Sequence, residues 1–378
     1  MRKIVFTLCL CMILCGCLES KEIQSVSYAI SMGVDFKDEQ YELTLQFLDF
    51  SNVAKSEQGK GGEVPLWIAV GRGRSLDDAI REIYRTIQLP VNYEHLYNIV
   101  LSESVLERKT SETIDLLTEN FLIPYSAWIY STTQSMEEIL ASKVIFNYPF
   151  LYSRLSQPKD MQGQLSSVPP LSLQEFMLEY EEPTKTIMTP SINIDKSAIK
   201  EDLTGIPVPY FEGAHIVKDK KHLGYLSITD LEGYILTNNE SERSLFDLKE
   251  EDMFLTVELN NPKYKIKQTS SADGTGFELA VTIPAVLREN STELSMDEVK
   301  RKVETAIKAE ISHSINKGRE LGADIFQLED YLYRRHHADW RSIQETSDTF
   351  EFEKIVVTLH PFNSINKTDF KFKNKSKE

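Results

Sequence analysis

The stretch SMDEVKRKVETAIKAEISHSINKGRELGADIFQLEDYLYRRHHADW, residues 295–340, decides what kind of fold this chain can adopt. Ser295 and Glu298 stand at the spacing of a capping box, in which each side chain satisfies a backbone N–H left free at the start of a helix. Val299, Val303, Ile307, Ile311 and Ile315 then recur every four residues, so one apolar stripe runs along a helix predicted from Ser295 to about Gly318. A stripe of this kind reads as core against a sheet. Gly322 is placed to end the helix, because glycine takes the left-handed backbone of a helix C-terminus without steric cost. Asp324 is placed to cap a second helix, predicted over Asp324–His336, with Tyr331 and Trp340 packing back on the sheet. His336 and His337 close that helix, where a cation complements the dipole.

Working outward, the strand that follows, Phe350–His360, shifts its apolar phase between Phe352 and Ile355, which predicts a bulge. Strands are predicted upstream at Met253–Leu259, Tyr264–Thr269 and Gly276–Pro284, with a hairpin turn at Ala272-Asp273-Gly274. Two proline-bearing stretches, Gln157–Pro170 and Glu181–Pro209, bracket a short helix at Ser172–Tyr180 and mark domain boundaries. Between them and the C-terminal block, Gly213–Val217 and Leu223–Leu226 read as a strand pair turned at Lys218–His222, with a short helix near Ser227. Further upstream, Tyr41, Leu43, Leu45 and Phe47 share one face of a strand, and a soluble loop spans Ser51–Glu63. Helices are predicted from Ser75 to Pro90, over Thr110–Phe121 and over Ser135–Ala141, the last with Glu138 closing its cap; they alternate with strands at Tyr97–Ser102 and Ala127–Thr132. The expected fold is α+β, a three-domain ectodomain of mixed β-sheets flanked by α-helices. Its parts are an N-terminal α/β domain at 17–180, a small middle domain at 181–248, a C-terminal α/β domain at 249–365 and a basic tail at 366–378.

The first sixteen residues read as a lipoprotein signal peptide. Arg2 and Lys3 precede an apolar run, Ile4–Leu14, about half as long as the ~20 residues that span a bilayer. Leu14-Cys15-Gly16-Cys17 then meets the demands of a lipobox, which places cleavage before Cys17 and a diacylglyceryl group, with an N-linked acyl chain such as palmitate, on that cysteine. All four cysteines lie at or before position 17, so the mature chain has no thiol for a disulfide, a cysteine nucleophile or a thiolate metal site. Loss of Arg2 and Lys3 takes the formal charge from −16 to −18, because residues 1–16 hold no Asp or Glu. A body this acidic is repelled by nucleic acid and by anionic head groups, so the two acyl chains of a diacylglycerol must hold it to the bilayer.

Chemistry-bearing motifs are scarce. Gly59-Lys60-Gly61-Gly62 lacks the spacing of a phosphate loop, and Gly71-Arg72-Gly73 lacks the third glycine of a dinucleotide fingerprint; both read as flexible turns. Neither His-Glu-x-x-His nor Gly-x-Ser-x-Gly occurs, and the many carboxylates are scattered. The reading is of a protein with no catalytic residues, no metal site and no cofactor.

The string Leu321-Gly322-Ala323-Asp324-Ile325-Phe326-Gln327-Leu328, then Tyr331 to His336, then Trp340, resembles the signature of the Ger(x)C family, the lipoprotein C subunits of nutrient germinant receptors in spore-forming bacteria. Cys17-Leu18-Glu19, Gly33-Val34-Asp35, Gly71 to Ala79, His95-Leu96, Glu212-Gly213-Ala214-His215-Ile216 and Leu223-Gly224-Tyr225-Leu226 are similar to further family landmarks in the same order. Leu18 departs from the family's usual Trp, and the second tryptophan shortly after Trp340 is missing. The resemblance implies a lipid-anchored ectodomain on the outer membrane face, the spore inner membrane in a spore-former. There it would work with two multi-pass membrane subunits when a nutrient is sensed. A solute-binding lipoprotein of a transporter shares the anchor, the size and the α/β alternation and is the competing reading.

Overall fold

The computed structural model describes residues 25–48, 65–119, 123–250, 253–271, 274–346 and 351–364. The signal peptide, Cys17, the loop at 51–63, the turn residues Ala272 and Asp273 and the basic tail at 366–378 lie outside the described residues.

The first sheet grows from β1 (Ser27–Lys37), which is buried along most of its length because both of its faces are covered. Asp38 and Glu39, both at positive φ, turn the chain into β2 (Gln40–Leu48), and β3 (Trp67–Gly73) adds antiparallel at the edge. On the other side of β1 the strands run parallel: β4 (Val91–Asn92) pairs with its first residues, β5 (Asn98–Ser102) lies alongside it, and β6 (Trp128–Thr132) lies beyond β5. A two-residue strand, β7 (Leu171–Ser172), pairs with β6, and β8 (Thr186–Asp195) follows in parallel. Only Ser131 and Ser191 pair directly there, and hydroxyls complete the seam: Ser131 Oγ donates to the Thr189 carbonyl at 3.0 Å and Thr132 Oγ1 to that of Ile192 at 2.7 Å. After the two-residue strands β9 (Lys200–Glu201) and β10 (Thr204–Gly205), which pair with each other, the sheet ends in the hairpin β11 (Val208–Lys218) and β12 (Lys221–Ser227).

Among the described residues, seven α-helices lie along the chain between β3 and β13. α1 (Leu76–Thr86), α2 (Glu103–Arg108), α3 (Thr110–Glu119) and α6 (Leu173–Glu181) cover one face over a core that includes Leu43, Ile83, Ile99, Leu117 and Phe176. α4 (Met136–Leu140) covers the other, around Ile30, Val100 and Tyr130, and the single-turn α5 (Lys159–Gln162) sets Lys159 Nζ 5.3 Å from the ring centre of Trp128 in β6. The seventh, α7 (Glu232–Ile235), packs instead on the C-terminal half, where a Cβ on Gly233 would stand 2.2 Å from the Glu310 carbonyl oxygen.

The second sheet is built on one long strand, β16 (Gly274–Asn290). β14 (Met253–Asn260) and β15 (Lys263–Ser271) lie end to end along one edge of it, with β13 (Arg243–Glu250) outside β14, and β17 (Glu351–Ser364) runs parallel along the other edge. The predicted bulge is there: Phe277 pairs with Phe352 and Glu278 with Lys354, so Glu353 is skipped. Across this sheet lies α8 (Met296–Glu320), started by the reciprocal Ser295–Glu298 capping box, with Val299, Val303, Ile307 and Ile311 buried and Ile315 partly so. Gly322 follows its end at φ 72, as its place in the sequence predicts. α9 (Leu328–Arg335) and α10 (His337–Thr346) complete the fold.

Several expectations need correction. Gly71 and Gly73 are strand residues, not flexible turns: a Cβ on Gly71 would meet the Ala79 carbonyl oxygen at 2.2 Å, so the missing side chain lets α1 lie directly on β3. Glu138 does not close the cap of α4, since Ser135 makes no side-chain cap bond and Glu138 turns instead to Lys196 at 3.1 Å. The second C-terminal helix starts at Leu328, because Gln327 at φ 58 interrupts the backbone just before it. Residues 181–248 distribute their strands: β8, β11 and β12 extend the first sheet, β13 edges the second, and among the described residues only β9 and β10 pair within the block.

Candidate functional site

The family-like segment after α8 is a polar clasp between the two sheets. Gln327 uses its amide as a strand would use a peptide group, donating to the Thr186 carbonyl at 2.6 Å and accepting the Thr186 N–H at 3.2 Å, where β8 begins. Asp330 takes the Thr184 hydroxyl at 3.2 Å, Lys185 at 3.1 Å and, from its own helix, Arg334 at 2.8 Å. Glu329, buried, receives Lys218 of β11 at 2.6 Å and the indole N–H of Trp340 at 3.3 Å. Asp324 does cap α9, from outside it, by accepting the Glu329 N–H at 2.7 Å, and burial pushes its carboxyl up to about 6. Every carboxylate here is matched by a cation or an N–H, so the arrangement joins two parts of the molecule and leaves no free base. Tyr331 packs edge-on to Phe277 of β16, 6.2 Å between ring centres.

On the opposite face of β11 lies a second cluster. Strand alternation sends Ala214 and Ile216 into the C-terminal core and His215 to the side of α2. His215 Nδ1 stands 2.9 Å from Nε2 of His222 on β12 and 3.9 Å from Oε1 of Glu103, the first residue of α2. One turn along α2, Glu107 Oε1 lies 4.0 Å from His222 Nδ1. Burial, with the neighbouring His222, pushes His215 down to about 4, and burial lowers His222 against the pull of both glutamates. Both rings are therefore neutral at pH 7 and offer lone pairs. Nε2 of His215 has no hydrogen-bond partner among the described residues, which leaves Nδ1 as the nitrogen that engages the cluster. Glu103, His215 and His222 are the one group of three or more metal-type donors gathered within 4.8 Å among the described residues.

Sequence reasoning weighed only His336 and His337 among the histidines. His336 is the C-cap of α9 and His337 the first residue of α10, close to their predicted place. The strand–turn–strand reading of 213–226 placed His215 on a strand but left His222 in the turn, whereas in the structure His222 belongs to β12; α2, which brings the glutamates, was not foreseen. Cys17, the one site residue predicted from sequence, lies outside the described residues. Two cavities, about 40 Å³ beside Ile30 and Tyr148 and about 120 Å³ beside Arg154 and Phe211, are small against the ~300 Å³ or more of an ordinary small-molecule site.

A mixed sheet and a smaller helix-covered sheet joined by such a clasp define an α+β protein whose polar groups hold its halves together. Residues 19–194 match the family described as the spore germination protein N-terminal domain, and residues 212–368 match the one described as spore germination B3/GerAC like, C-terminal. The chain belongs to this GerAC family of spore germination proteins, the Ger(x)C family, and a role in spore germination follows from that membership. The gap between the two matches, residues 195–211, runs from the last residue of β8 into β11, and these two strands pair with each other, so the division of the family does not coincide with an edge of the sheet.

Among its relatives is the putative spore germination protein YfkR of Bacillus subtilis (strain 168), 19% identical over 347 residues that cover 88% of each chain. Spore germination protein A3 of the same organism is 23% identical over 294 residues, 72% of this chain and 71% of that one. Spore germination protein KC, also from that organism, is 19% identical over 392 residues, 94% and 93%. The crystal structure of the GerBC protein shares the fold, with a TM-score of 0.55 and 16% identity over 91% of this chain and 100% of that one.

Proposed function

We propose that this protein is a lipid-anchored subunit of a spore nutrient germinant receptor. Acylated Cys17 ties it to the outer face of the membrane, the inner membrane in a spore, where it works with two multi-pass membrane subunits and catalyses no reaction. The observation that carries the reading is the pair of matches to spore germination proteins along 19–194 and 212–368. The anchor is supported by Leu14-Cys15-Gly16-Cys17 and by an acidic body that anionic lipid would repel.

Deleting the gene and germinating the spores on single nutrients tests the proposal: germination on at least one nutrient should slow severely, and unchanged germination on all of them would argue against it. Replacing Cys17 with Ala should move the protein from the membrane to the soluble fraction and impair germination, as fractionation and loss of spore refractility would record. Tight closure of the purified protein on a small solute would favour the competing transporter reading.

A further inference from the structure

We propose that Glu103, His215 and His222 form a binding site for a divalent transition-metal cation of the zinc class. Two imidazole nitrogens and one carboxylate, with a fourth position left to water, are a donor set that zinc accepts readily. At metal–ligand distances of about 2.1 Å, tetrahedral donors sit roughly 3.4 Å apart. The separations here, 2.9 Å between the two nitrogens and 3.9 Å from His215 Nδ1 to Glu103, fall on either side of that value. The two rings are fixed by paired strands, whereas the Glu103 side chain is 41% exposed and free to adjust. The same exposed edge, with Glu107 beside it, gives an ion its way in from solvent. Glu107, 4.0 Å from His222 Nδ1, stands where a second carboxylate orients a ligating imidazole.

Such an ion would pin α2 of the N-terminal half to the β11–β12 hairpin. The other face of that hairpin, through Ala214, Ile216 and Leu226, belongs to the core under α8, so the cation would tie both halves through one hairpin. Magnesium and calcium, which prefer all-oxygen shells, are not suited to this set. The site stands independently of the receptor reading.

The test uses the full chain in detergent with Cys9, Cys11, Cys15 and Cys17 all replaced by Ser, so that no thiol competes for metal. Titration calorimetry with zinc chloride should show one Zn²⁺ per chain, Co²⁺ should give the visible spectrum of a tetrahedral site, and Mg²⁺ and Ca²⁺ should give no heat. Glu103→Gln, on an exposed side chain, should weaken zinc binding about 10-fold or more, by analogy with the loss of a supporting ligand. His222→Asn should abolish it, while a His336→Asn/His337→Asn variant keeps it. Circular dichroism of each variant without metal checks the fold. Equal zinc binding by the cysteine-free chain and by folded Glu103→Gln and His222→Asn chains would overturn the proposal, as would no binding by the cysteine-free chain in millimolar zinc.

Discussion

Asp324 carries a pH dependence of its own. Its carboxyl is raised to about 6 in the fold from 3.8, so the folded chain holds this proton more tightly than the unfolded chain. Stability from this group is therefore present below about pH 4 and is lost as pH rises through 6, with an upper bound of about 3 kcal/mol that partial solvent access reduces. Asp324→Asn keeps an acceptor for the Glu329 N–H and removes the titration. Its melting temperature relative to the parent should climb between pH 4 and pH 7; a flat difference would mean that the carboxylate is already satisfied in the fold. Asp324 and Gly322 were legible in the sequence because helix ends impose local chemistry on nearby residues, while Trp340 was picked out by the family resemblance. His215 and His222 were not legible, since His215 is a lone histidine in its strand, His222 sits beside Lys220 and Lys221 in what reads as a turn, and the two meet only through the hairpin. Gln327 was equally hidden: nothing in its own neighbourhood announces a left-handed backbone or an amide that pairs with a strand more than a hundred residues earlier.

Among the elements, α1 and α8 show two ways of seating a helix on a sheet. α8 does it with an apolar stripe, so periodicity alone predicted both its span and its buried face. Ile307, fully buried at its middle, should cost about 2–5 kcal/mol when cut to Ala, measurable as a lower urea midpoint with an unchanged slope. α1 sits on glycines instead. Gly71→Ala would push a methyl group into the Ala79 carbonyl and Ile83, and overpacking of this kind costs about 1–3 kcal/mol, again read from the urea midpoint. A Gly-Arg-Gly string reads from sequence as a turn because absence of a side chain is a signal for freedom and for close approach alike. Only the neighbouring helix distinguishes the two. The bulge in β17 was legible for the opposite reason, since an apolar phase shift has one simple cause.

Across the whole molecule, α+β architecture was legible from the alternation of periods, while the assignment of strands to sheets was not. The proline-bearing stretches looked like separators, yet β8, inside the second of them, joins the first sheet through hydroxyl contacts at Ser131 and Thr132 that have no sequence signature. Sheet membership is decided by pairing at long range, which local composition does not encode. The clasp has a consequence at this scale: Glu329→Leu would strand the Lys218 ammonium in a part-buried site, and losing one partner of a buried pair costs about 3–5 kcal/mol. If the halves unfold as one unit, a single urea transition should shift; if the clasp is what couples them, the variant should show two transitions.

The order in which the second sheet is made matters as well. β16 ends at Asn290, and β17, its parallel neighbour, begins at Glu351, so sixty residues separate the two along the chain. At ribosomal rates of about 5–20 residues per second, one flank of the central strand stays open for roughly 3–12 s during synthesis. An open strand flank is a template for another chain. Polypeptides stopped at residue 350 should therefore collect in the insoluble fraction while chains that include β17 do not, and the interval before β17 joins is when the chain is most exposed to pairing with a second copy of itself.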